Sequence, residues 1–277
     1  MEVIRCAILG VVQGLTEFLP VSSSGHLQVA RHLLGGGAAA DEGAWAALVV
    51  LLHLGTLAAV VAYYRHDLLA MLRAIFRPRG PEDGDQGARA AARRLLWLIV
   101  VGTLPAAVVG LAFEGPIERL LAPEHVGHVG TFLLVSGGLV YLAARAPGGE
   151  PAPERMSVLD ALLIGVGQAC ALMPGLSRSG ATIAVGRVCG LSEEAAPRFA
   201  FLLSVPAILG GAIVELDSLA GLQAGDSVAY TVGFAAAVLS GFLAIRTVIQ
   251  ALQRRRFYVF AVYCWLLGSV LLLAELL

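Results

Sequence analysis

The chain contains no lysine: all 19 of its cationic residues are arginine. Any recognition of phosphate therefore falls to guanidinium forks, backbone amides or a metal ion. Charge of either sign is scarce, at 14% of 277 residues, and the formal net charge is −1. No basic face exists to neutralise a nucleic-acid backbone, which excludes that class of partner. Cysteine is sparse as well. Cys6, Cys170, Cys189 and Cys264 stand singly in apolar segments, a spacing that offers neither a zinc site nor a disulfide framework.

What is abundant is apolar. Hydrophobic residues make up 58% of the chain and the mean hydropathy is +0.81. Nearly charge-free runs of about 20 residues identify an all-α integral membrane protein forming one polytopic domain over 1–277. Spanning helices are expected at 44–64, 95–113, 126–144, 197–216, 228–249 and 257–277. Two further apolar runs are interrupted. Residues 2–19 read as a helix that stops at Pro20, followed by a short helix to about Leu34 that ends in Gly35-Gly36-Gly37; 158–176 and 179–190 form a second broken pair. Gln13 and Glu17 cut the first run before any small-residue cleavage signature, so a removable signal peptide is not expected.

Arginine asymmetry sets an expected orientation. Arg65, Arg73, Arg77, Arg79, Arg89, Arg93 and Arg94 share one loop, and Arg254-Arg255-Arg256 precedes the last span; both belong inside. The stretches Glu114 to His125 and Asp217 to Asp226 belong outside. With six spans, parity places 145–157 and the segment around Glu193 to Arg198 inside. The pair at 158–190 then opens to the cytoplasmic face and residues 1–40 to the outer face. The expectation is six spans plus two re-entrant hairpins in an inverted repeat, about 1–145 and 156–277. The Pro/Gly-rich loop Pro78 to Arg89 reads as mobile, and Ser192 before Glu193 and Glu194 reads as a helix start.

The two interruptions resemble each other. QGLTEFLPVSSSGH, Gln13 to His26, and QACALMPGLSRSGAT, Gln168 to Thr182, match at a fixed offset at Gln13/Gln168, Ser22/Ser177, Ser24/Ser179 and Gly25/Gly180, with Gly10/Gly165 flanking and Pro20/Pro174 one place out of register. They put Glu17, Ser22, Ser23, His26, Ser177, Arg178, Ser179 and Thr182 at membrane depth, where such groups mark function.

Gln13 and Glu17, four apart, share a helix face. Glu17 reads as a general base or metal ligand, or as a protonated core glutamate. Ser22, Ser23, Ser24 and Gly25 follow Pro20 as a helix start that favours an anion. His26 is within reach of the Ser22 or Ser23 hydroxyl, the logic of an activated nucleophile, unless the serines only cap. Arg178 can fork onto phosphate oxygens with Thr182 one turn on, or pair with Glu17, which itself puts the two motifs in contact. His53, with Thr56 three residues on, reads as a hydrogen-bonded core histidine, and Glu215 and Glu275 sit at span ends.

GVVQGLTEFLPVSSSGH and PGLSRSGAT resemble the signatures of the undecaprenyl-pyrophosphate phosphatase family, the bacitracin-resistance type, and the likeness extends to HLGTLAAVV, GTLPAAVVGL and RFAFLLSVPAILGGA. The resemblance implies a phosphatase of the bacterial inner membrane. It would remove the terminal phosphate of undecaprenyl pyrophosphate to recycle the lipid carrier of peptidoglycan synthesis. It also implies a divalent cation, magnesium or calcium, and a site open to the outer face; a homodimer is compatible with it. The matching positions are Glu17, Ser22, Ser23, His26, Ser177, Arg178 and Thr182. Gln13 stands where many members have glutamate, which weakens a two-carboxylate metal site and shifts the burden onto Glu17. On this reading Ser23 is the nucleophile and His26 its proton acceptor or the leaving-group acid. Glu17 orients His26 or binds the metal, and Arg178 stabilises charge. Gln13, Ser22, Ser177, Ser179 and Thr182 bind substrate. A transporter or lipid flippase is the alternative from another class; tips that combine serine, histidine, glutamate and arginine favour phosphoryl chemistry.

Overall fold

The computed structural model describes residues 2–34, 42–76, 86–112, 126–149, 152–222 and 224–276, and all regular structure among them is helical. The helices are α1 (Glu2–Phe18), α2 (Ser23–Leu33), α3 (Glu42–Tyr63), α4 (Arg65–Phe76), α5 (Gln86–Ala112), α6 (Val126–Arg145), α7 (Val158–Cys170), α8 (Arg178–Val188), α9 (Ala195–Val214), α10 (Ser227–Gln253) and α11 (Tyr258–Leu276). Six of them, α3, α5, α6, α9, α10 and α11, are long and apolar enough to cross a membrane. The chain is a multi-pass helical membrane protein.

Both apolar runs expected to break do break. α1 stops at Phe18 and α2 starts at Ser23; α7 stops at Cys170 and α8 starts at Arg178. Prolines 20 and 174 sit in the gaps, where a helix would need the N–H they lack. The 158–176 helix is thus shorter than expected, ending at Cys170, and Gly175 in the turn that follows takes φ +89. α9 starts at Ala195, three residues beyond the expected Ser192, and the Ser192 hydroxyl accepts from the Ala195 amide at 3.1 Å.

The arginine-rich segment departs from expectation. A helix, α4, occupies 65–76, and α5 begins at Gln86 rather than at 95. α4 buries Met71 and Ala74, an apolar stripe at helical spacing. Arg93 donates to the Ala74 carbonyl at 2.6 Å, and Arg94 to the carbonyls of Glu154 and Met156 at 2.7 and 3.0 Å, so these side chains tie off neighbouring segments. Positions 78–85 of the expected mobile loop, Gly35-Gly36-Gly37 and the Glu114 to His125 stretch lie outside the described residues.

The helices approach one another through glycine, the usual device where apolar burial does not drive association. α1 lies against α10, where a Cβ on Gly10 would fall 2.2 Å from the Gly233 carbonyl and one on Gly14 2.0 Å from Ser240 Oγ. α7 lies against α5, where a Cβ on Gly165 would fall 2.3 Å from the Gly102 carbonyl. α6 and α11 meet at Gly130 and Gly268, each facing the other's carbonyl. The central cluster gathers Phe18, Ile164, Ile183, Phe199, Phe201 and Leu203, with Phe18 edge-on to Phe201 at 5.5 Å. Outward-facing Trp97, Val108, Leu239 and Leu266 are exposed, as a lipid-facing surface requires.

Candidate active site

On α1 the Gln13 amide nitrogen donates to Glu17 Oε2 at 3.0 Å. Both side chains are buried. The chain then turns through Leu19-Pro20-Val21, and Ser22 takes φ +69, a conformation that costs a non-glycine residue about 1–3 kcal/mol. α2 starts from there with Ser23 Oγ donating to Glu17 Oε2 at 2.7 Å. The Ser22 hydroxyl caps nothing; it lies 3.3 Å from Ser24 Oγ.

His26 is held from two sides. Nδ1 lies 2.7 Å from the Ser22 carbonyl oxygen, which can only accept, so Nδ1 carries the hydrogen and Nε2 presents its lone pair. The Tyr263 hydroxyl on α11 donates to Nε2 at 2.6 Å, and the two rings stack. The expected triad, with His26 against a serine hydroxyl and Glu17 behind it, does not form. The left-handed turn at Ser22 presents a carbonyl to His26 in place of a hydroxyl, and Glu17 reaches Ser23 directly.

At the second tip Ser177 caps α8, accepting from the Gly180 amide at 3.1 Å. Its own amide donates to Ser136 Oγ of α6 at 2.8 Å, and Ser136 donates to the Gly175 carbonyl at 3.2 Å. Thr182 turns its hydroxyl back to the carbonyls of Arg178 and Ser179. The tips touch. Ser179 Oγ donates to the Leu19 carbonyl at 3.2 Å, and a Cβ on Gly180 would fall 3.3 Å from Pro20 Cβ. Arg178 Nη2 donates to Glu17 Oε1 in a partly buried ion pair, while Arg178 Nη1 is buried with no partner among the described residues.

Glu17 is therefore the hub, with Arg178 on one oxygen and Gln13 and Ser23 on the other. His53 of α3 joins it, its Nε2 3.8 Å from Glu17 Oε2. The expected hydrogen bond forms at Nδ1, which lies 2.8 Å from the Val49 carbonyl, but the His53 side chain is 33% exposed and not in the core, and Thr56 bonds the His53 carbonyl and not the ring. Among the described residues no cluster of three His, Cys, Asp or Glu is placed to hold a metal.

The family model described as bacitracin resistance protein BacA matches residues 6–270. The chain belongs to this family. It is 42% identical to the undecaprenyl-diphosphatase of Syntrophotalea carbinolica, over 98% of each chain. It is 39% identical to that of Methanobrevibacter smithii, over 100% of this chain and 99% of the other, and 39% identical to that of Rubrobacter xylanophilus, over 98% and 97%. Both broken-helix motifs of this BacA-family chain lie inside the matched region.

Within that BacA-type site, reasoning from sequence missed Tyr263, Ser136 and the site-facing side of His53. Each comes from a different spanning helix; Tyr263 and Ser136 lie in no motif, while His53 heads the HLGTLAAVV stretch. Tyr263 and Ser136 are each one of several polar residues in largely apolar helices, so neither stands out in the sequence. Gln168, the counterpart of Gln13, is buried with both amide atoms unpartnered; position 172, one turn on, is leucine and offers it no carboxylate.

Proposed function

We infer that the protein is a membrane phosphatase that hydrolyses undecaprenyl pyrophosphate to undecaprenyl phosphate and inorganic phosphate. It recycles the lipid carrier of peptidoglycan synthesis and so confers bacitracin resistance. The observation that carries the reading is the contact of Glu17 with Arg178 and Ser23 at one point: a carboxylate, a guanidinium and a hydroxyl from two tips. Full-length kinship with undecaprenyl-diphosphatases supports it.

Cleavage of an anhydride moves negative charge onto the transferred phosphoryl and the departing phosphate, so catalysis is mostly positioning and charge stabilisation. The unpartnered Nη1 of Arg178 is a ready donor for a terminal phosphate oxygen. As the phosphate takes up Arg178, Glu17 is released to accept the Ser23 proton. Ser23 Oγ then bonds to the terminal phosphorus, the bond to the bridging oxygen breaks, and undecaprenyl phosphate leaves. Water attacks the resulting phosphoserine and releases inorganic phosphate. His26 carries protons for the leaving group or the water, positioned by Tyr263. In the variant mechanism water attacks directly and Ser23 only binds phosphate. Gln13 and Ser22 flank Glu17 and Ser23 on the first tip, and Ser177, Ser179 and Thr182 hold the start of α8 and its contact with the first tip; together they shape the substrate-binding walls.

A divalent cation, magnesium or calcium, belongs to the same proposal. Gln13 Oε1 is a buried oxygen without a partner beside Glu17. The two would supply one or two oxygen ligands, with substrate phosphates and water completing the set as magnesium prefers. Bound there, the cation would neutralise phosphate charge.

The two broken helices are read as re-entrant hairpins of an inverted repeat, about 1–145 and 156–277. Supporting this, α1 packs on α10 as α7 packs on α5, with the matching residues Gly10 and Gly165 each against a glycine carbonyl, and α6 meets α11 through reciprocal glycines. The site is read as facing the outer side of the bacterial plasma membrane, because Arg145, Arg187 and Arg254 to Arg256 gather at the other end. A homodimer is part of the proposal, tested by mass in solution, though nothing in the reaction requires one.

The test is phosphate release from undecaprenyl pyrophosphate by the purified full chain, with and without magnesium. Metal-dependent release supports the reading. Folded protein that releases nothing under any divalent ion would leave lipid transport as the function.

A further inference from the structure

α8 carries Arg178 at its first residue and Arg187 near its last. At 1.5 Å per residue these guanidinium-bearing positions lie about 13 Å apart along the axis. Arg187 takes no part in the chemistry above. It lines a cavity of about 520 Å³ at the arginine-rich end of the bundle, together with Arg145, Arg255, Tyr141, Tyr258 and Glu193.

The charge there is unbalanced. Three of the lining side chains are guanidinium groups and one is a carboxylate, and Glu193 is already taken by Arg187 Nη2 at 2.9 Å. Arg145 and Arg255 make no ion pair among the described residues. Arg145 lies over the Tyr141 ring at 5.1 Å, which fixes its fork.

Arg187 has a side chain only 1% exposed. It donates to the carbonyls of Leu191 and Ala146 at 2.5 and 2.8 Å, yet its Nε is buried without a partner among the described residues. An unmet buried donor is rare and costly.

Arg255 sits at φ +55. The Arg256 amide bonds the Ala251 carbonyl and the Arg255 amide bonds that of Leu252, a helix ending whose left-handed residue is normally glycine. Arginine there runs against local preference and sets a guanidinium in the cavity wall.

The simplest structural account is that these arginines neutralise the carboxyl ends of α6, α8 and α10, which terminate together here. That explains the Arg187 bonds to Ala146 and Leu191. It explains neither the orphan Nε nor an open volume lined by two arginines that have no ion-pair partner among the described residues.

We propose that this cavity is a second anion site, taking a phosphate group either from a lipid headgroup or free in solution. Guanidinium forks match phosphate oxygens in pairs, and the volume is that of a small-molecule site. It does not depend on the catalytic reading.

The test is thermal unfolding of the full chain in neutral detergent with three probes: dihexanoyl phosphatidic acid, dihexanoyl phosphatidylcholine and inorganic phosphate. Wild type and Arg178→Gln are both stabilised by phosphatidic acid and not by phosphatidylcholine, and that increment is at least halved in Arg145→Gln/Arg255→Gln. Stabilisation by inorganic phosphate too identifies the free ion as sufficient; stabilisation by phosphatidic acid alone identifies the headgroup. Arg255→Gly guards against a folding defect, because glycine suits the left-handed position: its unliganded melting temperature is equal to or above wild type while its increment falls. An equal increment in wild type and the double variant, or one lost only in Arg178→Gln, overturns the proposal.

Discussion

Glu17 and Arg178, 161 residues apart in the chain, meet in a partly buried ion pair that joins the tips of two broken helices. Such a pair is weak evidence for net stability, but removing Arg178 leaves the buried Glu17 carboxylate uncompensated, which destabilises. Its value lies in position: the same carboxylate holds Ser23, and the same guanidinium keeps one nitrogen free.

Arg178→Ala is therefore expected to lower kcat by about 10²–10³, the usual loss for a donor aimed at developing charge. It also lowers the melting temperature, because Glu17 is stranded. Steady-state phosphate release and a thermal melt on the same preparation read both.

Ser23 separates two routes. If its Oγ attacks phosphorus, acid quenching during turnover traps a phosphoserine at position 23, and Ser23→Ala falls by about 10³ or more, as for a nucleophile. If water attacks, no phosphoserine forms and Ser23→Ala stays within about tenfold of wild type, the loss of one hydrogen bond of about 0.5–1.5 kcal/mol.

Tyr263→Phe removes only the hydroxyl that holds His26 Nε2. The expected outcome is a kcat lower by about tenfold with KM unchanged, because an orienting bond of about 1 kcal/mol acts on the catalytic step and not on binding. A rise in KM at constant kcat would assign Tyr263 to substrate contact.

How much of this is legible in the sequence depends on how local each signal is. The six spans are, because length and apolar character alone mark them. The breaks at Pro20 and Pro174 are, because proline and serine interrupt apolar runs. α4 was obscured by its arginines, although Met71 and Ala74 carry a helical stripe. At the site, Gln13 beside Glu17 follows from four-residue spacing, and so does the proximity of His26 to Ser22. That His26 meets the Ser22 carbonyl and not a hydroxyl depends on φ +69 at Ser22, which no side-chain pattern announces. Contacts made across the fold, His53 to Glu17 and Tyr263 to His26, come from scattered polar residues in largely apolar helices. Such residues look alike whether they face a core or a site.

Glycine contacts between helices give a stability prediction. A Cβ at Gly165 would meet the Gly102 carbonyl at 2.3 Å, whereas one at Gly138 meets nothing within 4 Å. Gly165→Ala is expected to destabilise by about 1–3 kcal/mol through overpacking. Gly138→Ala is expected to be neutral or slightly stabilising, both read as melting temperatures in detergent.

The central claim is that the two tips make one phosphatase site through Glu17 and Arg178. A double-mutant cycle on phosphate release from undecaprenyl pyrophosphate, using Glu17→Gln, Arg178→Gln and the double variant, tests it most directly. Groups acting as a unit are strongly non-additive, so the account predicts a double variant about as impaired as the worse single variant. A double variant whose loss is the product of the two single losses would contradict it.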